Sequence, residues 1–126
     1  QKFDWRFFED FVAKIFEANE FEVERKIIFV TGRKHEIDVI AKNQRFLFCV
    51  DCKKWKMGRY KKGLLKRAAE KHLERCEEYA KMKGEKRKIV PLIVTLHEED
   101  IVKHQGVIFV PVWKLNKFLN EFEQWL

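Results

Sequence analysis

The chain has 126 residues, room for one domain with a real core and too little for two. Hydrophobic residues make up 46%, including 12 Phe and 4 Trp, which excludes a disordered basic tail. With 37% charged residues and a formal net charge of +7, a compact fold of this sequence is drawn to polyanions, nucleic acid before anionic membrane.

Residues 4 to 19, "DWRFFEDFVAKIFEAN", are expected to form a first helix with Asp4 as its N-cap. Trp5, Phe8, Val12, Ile15 and Phe16 recur at helical spacing and mark its apolar face. Glu9 falls inside the arc of Trp5, Val12 and Phe16, and an acid placed there needs a partner. "FEVERKIIFV" (21–30) alternates and then becomes solidly apolar, as a strand entering a core does. Thr31 to Lys34 form a turn, "HEIDVIAK" (35–42) a second strand, Asn43-Gln44 a tight turn and "RFLFCVDCKKW" (45–55) a third strand. The three make an antiparallel meander. Alternation puts Glu36, Asp38 and Ile40 on one face of the second strand, and His35, Ile37 and Val39 on the other. On the third, Cys49, Asp51 and Lys53 share a face.

Gly58 to Lys62 is a basic connector. A long helix runs from there to Met82, with Leu64, Leu65, Ala68, Ala69, Leu73, Cys76, Tyr79 and Ala80 on one stripe and Gly84 as its stop. "RKIVPLIVTL" (87–96) follows as a buried strand, reached by a crossover helix and therefore parallel to the third. "HEEDIVKHQG" is expected to be a loop or short helical turn, "VIFVPVW" (107–113) an apolar strand and "KLNKFLNEFEQWL" a closing amphipathic helix. The order α-β-β-β-α-β-β-α describes one α/β sandwich around a central mixed β-sheet, with residues 1–126 as a single domain. "VIFVPVW" and "FEQWL" serve equally well as core or as a homodimer surface. The first residue is Gln rather than Met, as expected of a processed domain or of one excised from or attached to a further domain.

Three cysteines, an odd number, argue against a disulfide framework and for a reducing, cytoplasmic setting. Cys49 and Cys52 form a CxxC, but residues three apart on a strand face opposite sides, which disfavours zinc. No apolar run approaches the roughly 18 residues a membrane span needs.

The chemistry concentrates at the end of the third strand. Phe46 to Val50 are apolar, and Asp51 and Lys53 then follow with one residue between them. Taken singly, Asp38 reads as an exposed strand acid, Asp51 with Lys53 as a surface ion pair, and Glu9 as a residue at a helix edge. If the hairpin pairs around Asn43-Gln44, however, Asp38 and Asp51 converge at one end of the sheet. Two carboxylates that close need a cation between them, and Mg²⁺ suits such oxygen ligands, with Mn²⁺ as a substitute. Lys53 then stands beside the metal-bound water or the phosphoryl group under attack.

A basic run follows: Lys53, Lys54, Lys56, Arg59, Lys61, Lys62, Lys66 and Arg67, with Trp55 and Tyr60 among them. It reads either as a solvated helix start or as a phosphate-binding edge with an aromatic to pack on a sugar or base, and the second reading is favoured. Arg33 and Lys34, with His35, supply an opposite wall. His97 and His104 flank the acidic "HEED" loop, where histidines are usually solvated, although His97 is placed to reach the cleft.

"FFEDF" with Glu9, "EIDVIA" with Asp38, and "VDCKKWK" with Asp51 and Lys53 resemble the PD-(D/E)xK, restriction-endonuclease-like nuclease superfamily. The likeness is greatest to Mrr-type restriction endonucleases and Holliday-junction resolvases, and it extends in outline over nearly the whole chain. It implies a three-layer sandwich and Mg²⁺-dependent hydrolysis of DNA phosphodiesters. It implies further that Asp38, Asp51 and the Cys52 carbonyl ligate the metal, that Lys53 positions or activates the attacking water, and that Glu9 holds Lys53 or completes the metal shell. Asp51 stands where many relatives have Glu. Glu36 is a supplementary ligand or, the favoured reading, solvated. The competing functions are a catalytically inactive DNA-binding or scaffolding module of the same fold, and a protein-interaction domain that leaves the basic run unexplained.

Overall fold

A computed structural model describes residues 5–55, 62–96 and 100–126. The elements in chain order are α1 (Trp5–Ala18), β1 (Glu22–Val30), β2 (Lys34–Lys42), β3 (Phe46–Lys53), α2 (Lys62–Lys83), β4 (Lys88–Thr95), β5 (Val102–His104), β6 (Val107–Pro111) and α3 (Leu115–Glu121). The expected N-cap Asp4, the connector residues Lys56, Arg59, Tyr60 and Lys61, and His97 lie outside the described residues, as do the side chains of Trp5 and Lys62.

The six strands form one sheet in the order β1-β2-β3-β4-β6-β5. β1, β2 and β3 pair antiparallel through short turns. The crossover through α2 returns β4 parallel to β3, and β6 continues parallel to β4. Helices cover both faces. Phe8, Val12 and Phe16 of α1 and Leu115, Phe118 and Leu119 of α3 pack with Val39, Phe48 and Val50 on one side. Leu65, Ala69, Cys76 and Tyr79 of α2 cover the other. This is the three-layer α/β sandwich with a central mixed sheet that the resemblance implies.

The apolar density of β3 follows from its place between two covered faces, with every residue from Phe46 to Cys52 buried. Phe48 meets Phe16, Phe21 and Phe122 at ring-centroid distances of 5.4, 5.3 and 5.0 Å. Val107 to Val112 are likewise all buried, so "VIFVPVW" is core up to Val112, while Trp113 is exposed. α2 ends as its glycine demands: Gly84 has φ +60°, and Glu85 N–H donates to the Ala80 carbonyl at 2.9 Å.

Three expectations need correction. The segment before β6, read as a loop or helical turn, contains a strand: β5 pairs antiparallel with β6, His104 opposite Val107. Gln105 and Gly106, at φ 52° and 83°, make the two-residue turn that closes this hairpin. The strict alternation of β2 fails between Ile37 and Val39. Ile37 joins Ile40, Phe29 and Tyr79 beneath α2, whereas Val39 joins the α1 side. Lys26, at φ 52°, sits in β1 between the pairs Arg25–Val39 and Ile27–Ile37, and this left-handed residue bends the ribbon so that its tip curls over α2. Finally, Cys49 of β3 and Cys76 of α2 form a disulfide, their Cα atoms 6.0 Å apart. An odd count is compatible with one bridge and one free thiol, buried Cys52, so the number of cysteines says nothing about compartment.

Candidate active site

The β2–β3 ladder ends at the pair Val39–Val50, and Asp38 and Asp51 are the next residues beyond that end. There the two carboxyls hydrogen-bond to each other. Asp38 Oδ2 also accepts the Cys52 N–H at 2.8 Å. Asp51 is 7% exposed, and its two oxygens face different cations: Lys53 Nζ lies 3.2 Å from Oδ2, and Arg75 Nη1 lies 3.4 Å from Oδ1.

These surroundings split the two acids. Burial, then the hydrogen bond to Asp51 and the Asp51 charge, push the Asp38 carboxyl up to about 8. Burial raises Asp51 too, but positive charge on His72 and Lys53, the Asp38 hydrogen bond and Arg75 outweigh it and hold Asp51 below its ordinary value. The His72 charge acts only in acid, because burial brings that imidazole down to about 4. At neutral pH the lysine, the shared proton and the arginine account for the lowering.

Glu9 is 4% exposed on α1, close enough for its charge to act on both Asp38 and the Cys52 thiol. Burial first, then these three acids, drive the Cys52 thiol well above its ordinary range, so it is inert as a nucleophile.

The acids lie at the base of a cleft of about 510 Å³. One wall is the curled β1–β2 tip with Arg33, Lys34, His35 and Glu36; the other is α2 with Lys71 and Arg75. The tip is latched to α2 by Arg33 Nη2 on Glu74 Oε1 at 2.8 Å. It is also packed down by the Phe29 ring on Tyr79, with His35 stacked on Phe29. Lys54 is exposed beyond the end of β3. Trp55 is half-buried on Phe109, ring centroids 6.1 Å apart, and lines an adjoining depression with Arg67 and Lys71.

Asp38, Asp51 and Lys53 thus come together, and Arg33 and Lys34 share their cleft. Glu9 approaches from the opposite side of the sheet, and Glu36 is exposed in the cleft wall. Sequence reasoning missed Arg75, Lys71 and His72. His72 occupies the centre of the buried stripe Leu65, Ala69, His72, Cys76, Tyr79, a spacing visible in the sequence once histidine is counted as a core residue. Its Nε2 lies 2.8 Å from the Cys49 carbonyl. The ligand atoms of Cys49, His72 and Cys76 lie within 4.8 Å of one another, but two sulfurs bonded together have no thiolate to offer a metal.

The donor set at the acids fits a hard divalent cation. Asp51 Oδ2 is buried and, despite the nearby ammonium, has no hydrogen bond of good geometry among the described residues.

Comparison with known proteins gives matches of three kinds. The family model for the Mrr catalytic domain, described as a restriction endonuclease, matches residues 1–97. An uncharacterized protein of Archaeoglobus fulgidus is 34% identical over 123 residues, covering 97% of this chain and 94% of that protein. A crystal structure of a protein of unknown function superposes with a TM-score of 0.58 at 18% identity over 88% of this chain. The chain spans about half of that larger protein, 52% of its length.

Proposed function

Because the chain belongs to the Mrr-type restriction endonuclease family, we propose that it is a Mg²⁺-dependent DNA endonuclease. The observation that carries this reading is the Asp38–Asp51 carboxyl pair at the base of a basic cleft, with Lys53 Nζ 3.2 Å from Asp51 Oδ2. Asp38, Asp51 and the Cys52 carbonyl would hold the ion, and Glu9 would complete its surroundings. When bound, Mg²⁺ supplies charge to stabilise the phosphoryl group under attack and acidifies a coordinated water; Mn²⁺ substitutes for it.

This chain's residues do the remaining work. Lys53 donates to the attacking oxygen or to a non-bridging phosphate oxygen, with Asp51 keeping the ammonium in place. Arg33, Lys34, Lys54, Trp55, Lys56, Arg59, Lys61 and Lys62 contact the DNA, mainly through its phosphates. Cutting both strands takes two such sites, which a homodimer provides. The test is cleavage of plasmid DNA in Mg²⁺ by Asp51→Asn and Lys53→Ala proteins with unchanged circular dichroism. Loss in both supports the assignment, and persistence in both refutes it.

A further inference from the structure

Asp51 carries two cations on different oxygens, and only one of them belongs to the motif that marks the site. Lys53 follows it on the same strand. Arg75 comes from the middle of α2, its side chain 21% exposed and turned into the cleft that holds the acids. The approach is pinned covalently: Cys76, the next residue, is bonded to Cys49, two positions before Asp51. A guanidinium stays charged at any accessible pH, so it cannot leave a carboxylate by losing a proton. A divalent ion that takes Asp51 must therefore compete with it.

We propose that Arg75 is the standing counter-ion of Asp51, released when a divalent ion binds and then presented to the phosphate that enters the same cleft. This rests on the reading of Asp51 as a metal ligand. In the metal-free protein the guanidinium joins Lys53 in balancing the charge of buried Asp51 beside half-buried Asp38. Once a divalent ion supplies that compensation, Arg75 becomes surplus positive charge beside Lys53. The phosphodiester, which is negative and accepts planar paired hydrogen bonds, is its natural new partner. Lys71, one helical turn earlier in the same wall, gives the phosphate a second point of attachment.

Isothermal titration with Mn²⁺ in the absence of DNA separates the possibilities, using wild-type, Arg75→Gln, Arg75→Lys and Asp51→Asn proteins. Arg75→Gln is expected to bind Mn²⁺ about tenfold more tightly than wild type, because a like charge has been removed from beside the ligand. Arg75→Lys, which keeps the charge, should stay near wild type. With saturating Mn²⁺, cleavage of plasmid DNA by Arg75→Gln should fall by about tenfold or more despite the tighter metal. Arg75→Met, which retains the packing of the side-chain stem, replaces Arg75→Gln if the latter does not melt cooperatively. Unchanged or weaker Mn²⁺ binding by the folded uncharged variant overturns the counter-ion role. Equal binding by wild type and Asp51→Asn, or none by wild type, overturns the metal-ligand reading itself.

Discussion

Asp38 and Asp51 meet just beyond the end of the β2–β3 ladder in unlike states, the first pushed up to about 8 and the second held below its ordinary value. In the absence of metal the pair shares one proton through neutral pH. A metal that takes both carboxylates must expel it. Titrating Mg²⁺ at pH 7 in buffers of different ionisation enthalpy should therefore reveal release of about one proton per ion. Affinity should rise about tenfold per pH unit up to roughly pH 8 and level off beyond it. A pH-independent affinity between 6 and 8 rules out the shared proton.

The same proton affects folding. Asp38 has its carboxyl raised in the native state, so the stability it contributes is complete below about pH 4 and is lost as pH rises towards about 8. Asp38→Asn mimics the protonated acid, keeping an acceptor for the Cys52 N–H and gaining a donor for Asp51. Metal-free Asp38→Asn should match wild type only below about pH 4, gain on it progressively as the pH rises to about 8, and exceed it at pH 9 by several kcal/mol in urea unfolding, while binding no metal. Parallel stability curves for the two proteins would exclude this.

The disulfide joins residues separated by 27 positions and ties the strand of Asp51 to the helix of Arg75. Closing a loop of that length stabilises a fold by roughly 3 kcal/mol. Both sulfurs belong to buried residues, so exchange with a reductant requires opening of the α2–β3 packing. Thiol titration of the denatured, unreduced protein should find one free thiol, Cys52. Cys76→Ser should lower the unfolding free energy by roughly 3 kcal/mol, and reduction of the wild type should reproduce that loss. Three thiols before reduction would show that the bridge does not form.

Arg33 and Lys34 stand on the exposed tip of the β1–β2 hairpin, where their removal leaves the core untouched. Each phosphate contact steepens the salt dependence of duplex binding by about 0.9 in log–log slope. The double variant Arg33→Ala, Lys34→Ala should flatten that slope by roughly 2, with a melting temperature lowered only slightly by loss of the exposed Arg33–Glu74 ion pair. An identical slope in a DNA shift series from low to moderate salt would place the contacts elsewhere.

Phe48 lies on the face of β3 opposite Asp51, fully buried among Phe16, Phe21 and Phe122. Phe48→Ala should destabilise the fold by about 3–5 kcal/mol through the cavity it leaves. A loss below about 1 kcal/mol in chemical unfolding would mean that this aromatic cluster does not hold the strand.

Most of the architecture is legible in the sequence because it follows from period and punctuation. α1, the three-strand meander, the long helix with its glycine stop and the parallel strands show as local patterns of apolar residues, and Asp38, Asp51 and Lys53 stand out as charges breaking such a pattern. What escapes is set by tertiary geometry. The β5–β6 turn uses Gln105, a residue that only occasionally takes positive φ, so no Asn-Gly or Asp-Gly announces it. Lys26 bends β1 without any glycine to mark the place. Arg75 resembles any charge beside a helical stripe until the crossover lays α2 over the end of β3. The cysteine bridge depends on that same crossover.

Because the β1–β2 tip curls over α2, the cleft has a wall built apart from the strand end that carries its acids. Asp51 is anchored at the end of β3 by its pairing with Ile93 of β4, whereas the facing wall is an outer ribbon tied to α2 by the Arg33–Glu74 ion pair and the rings of Phe29, His35 and Tyr79. Lengthening or recolouring that ribbon would reshape the opening without disturbing the carboxyls beneath. If the cleft takes DNA as proposed, changes in the ribbon would alter which DNA it admits while its floor of acids stays the same.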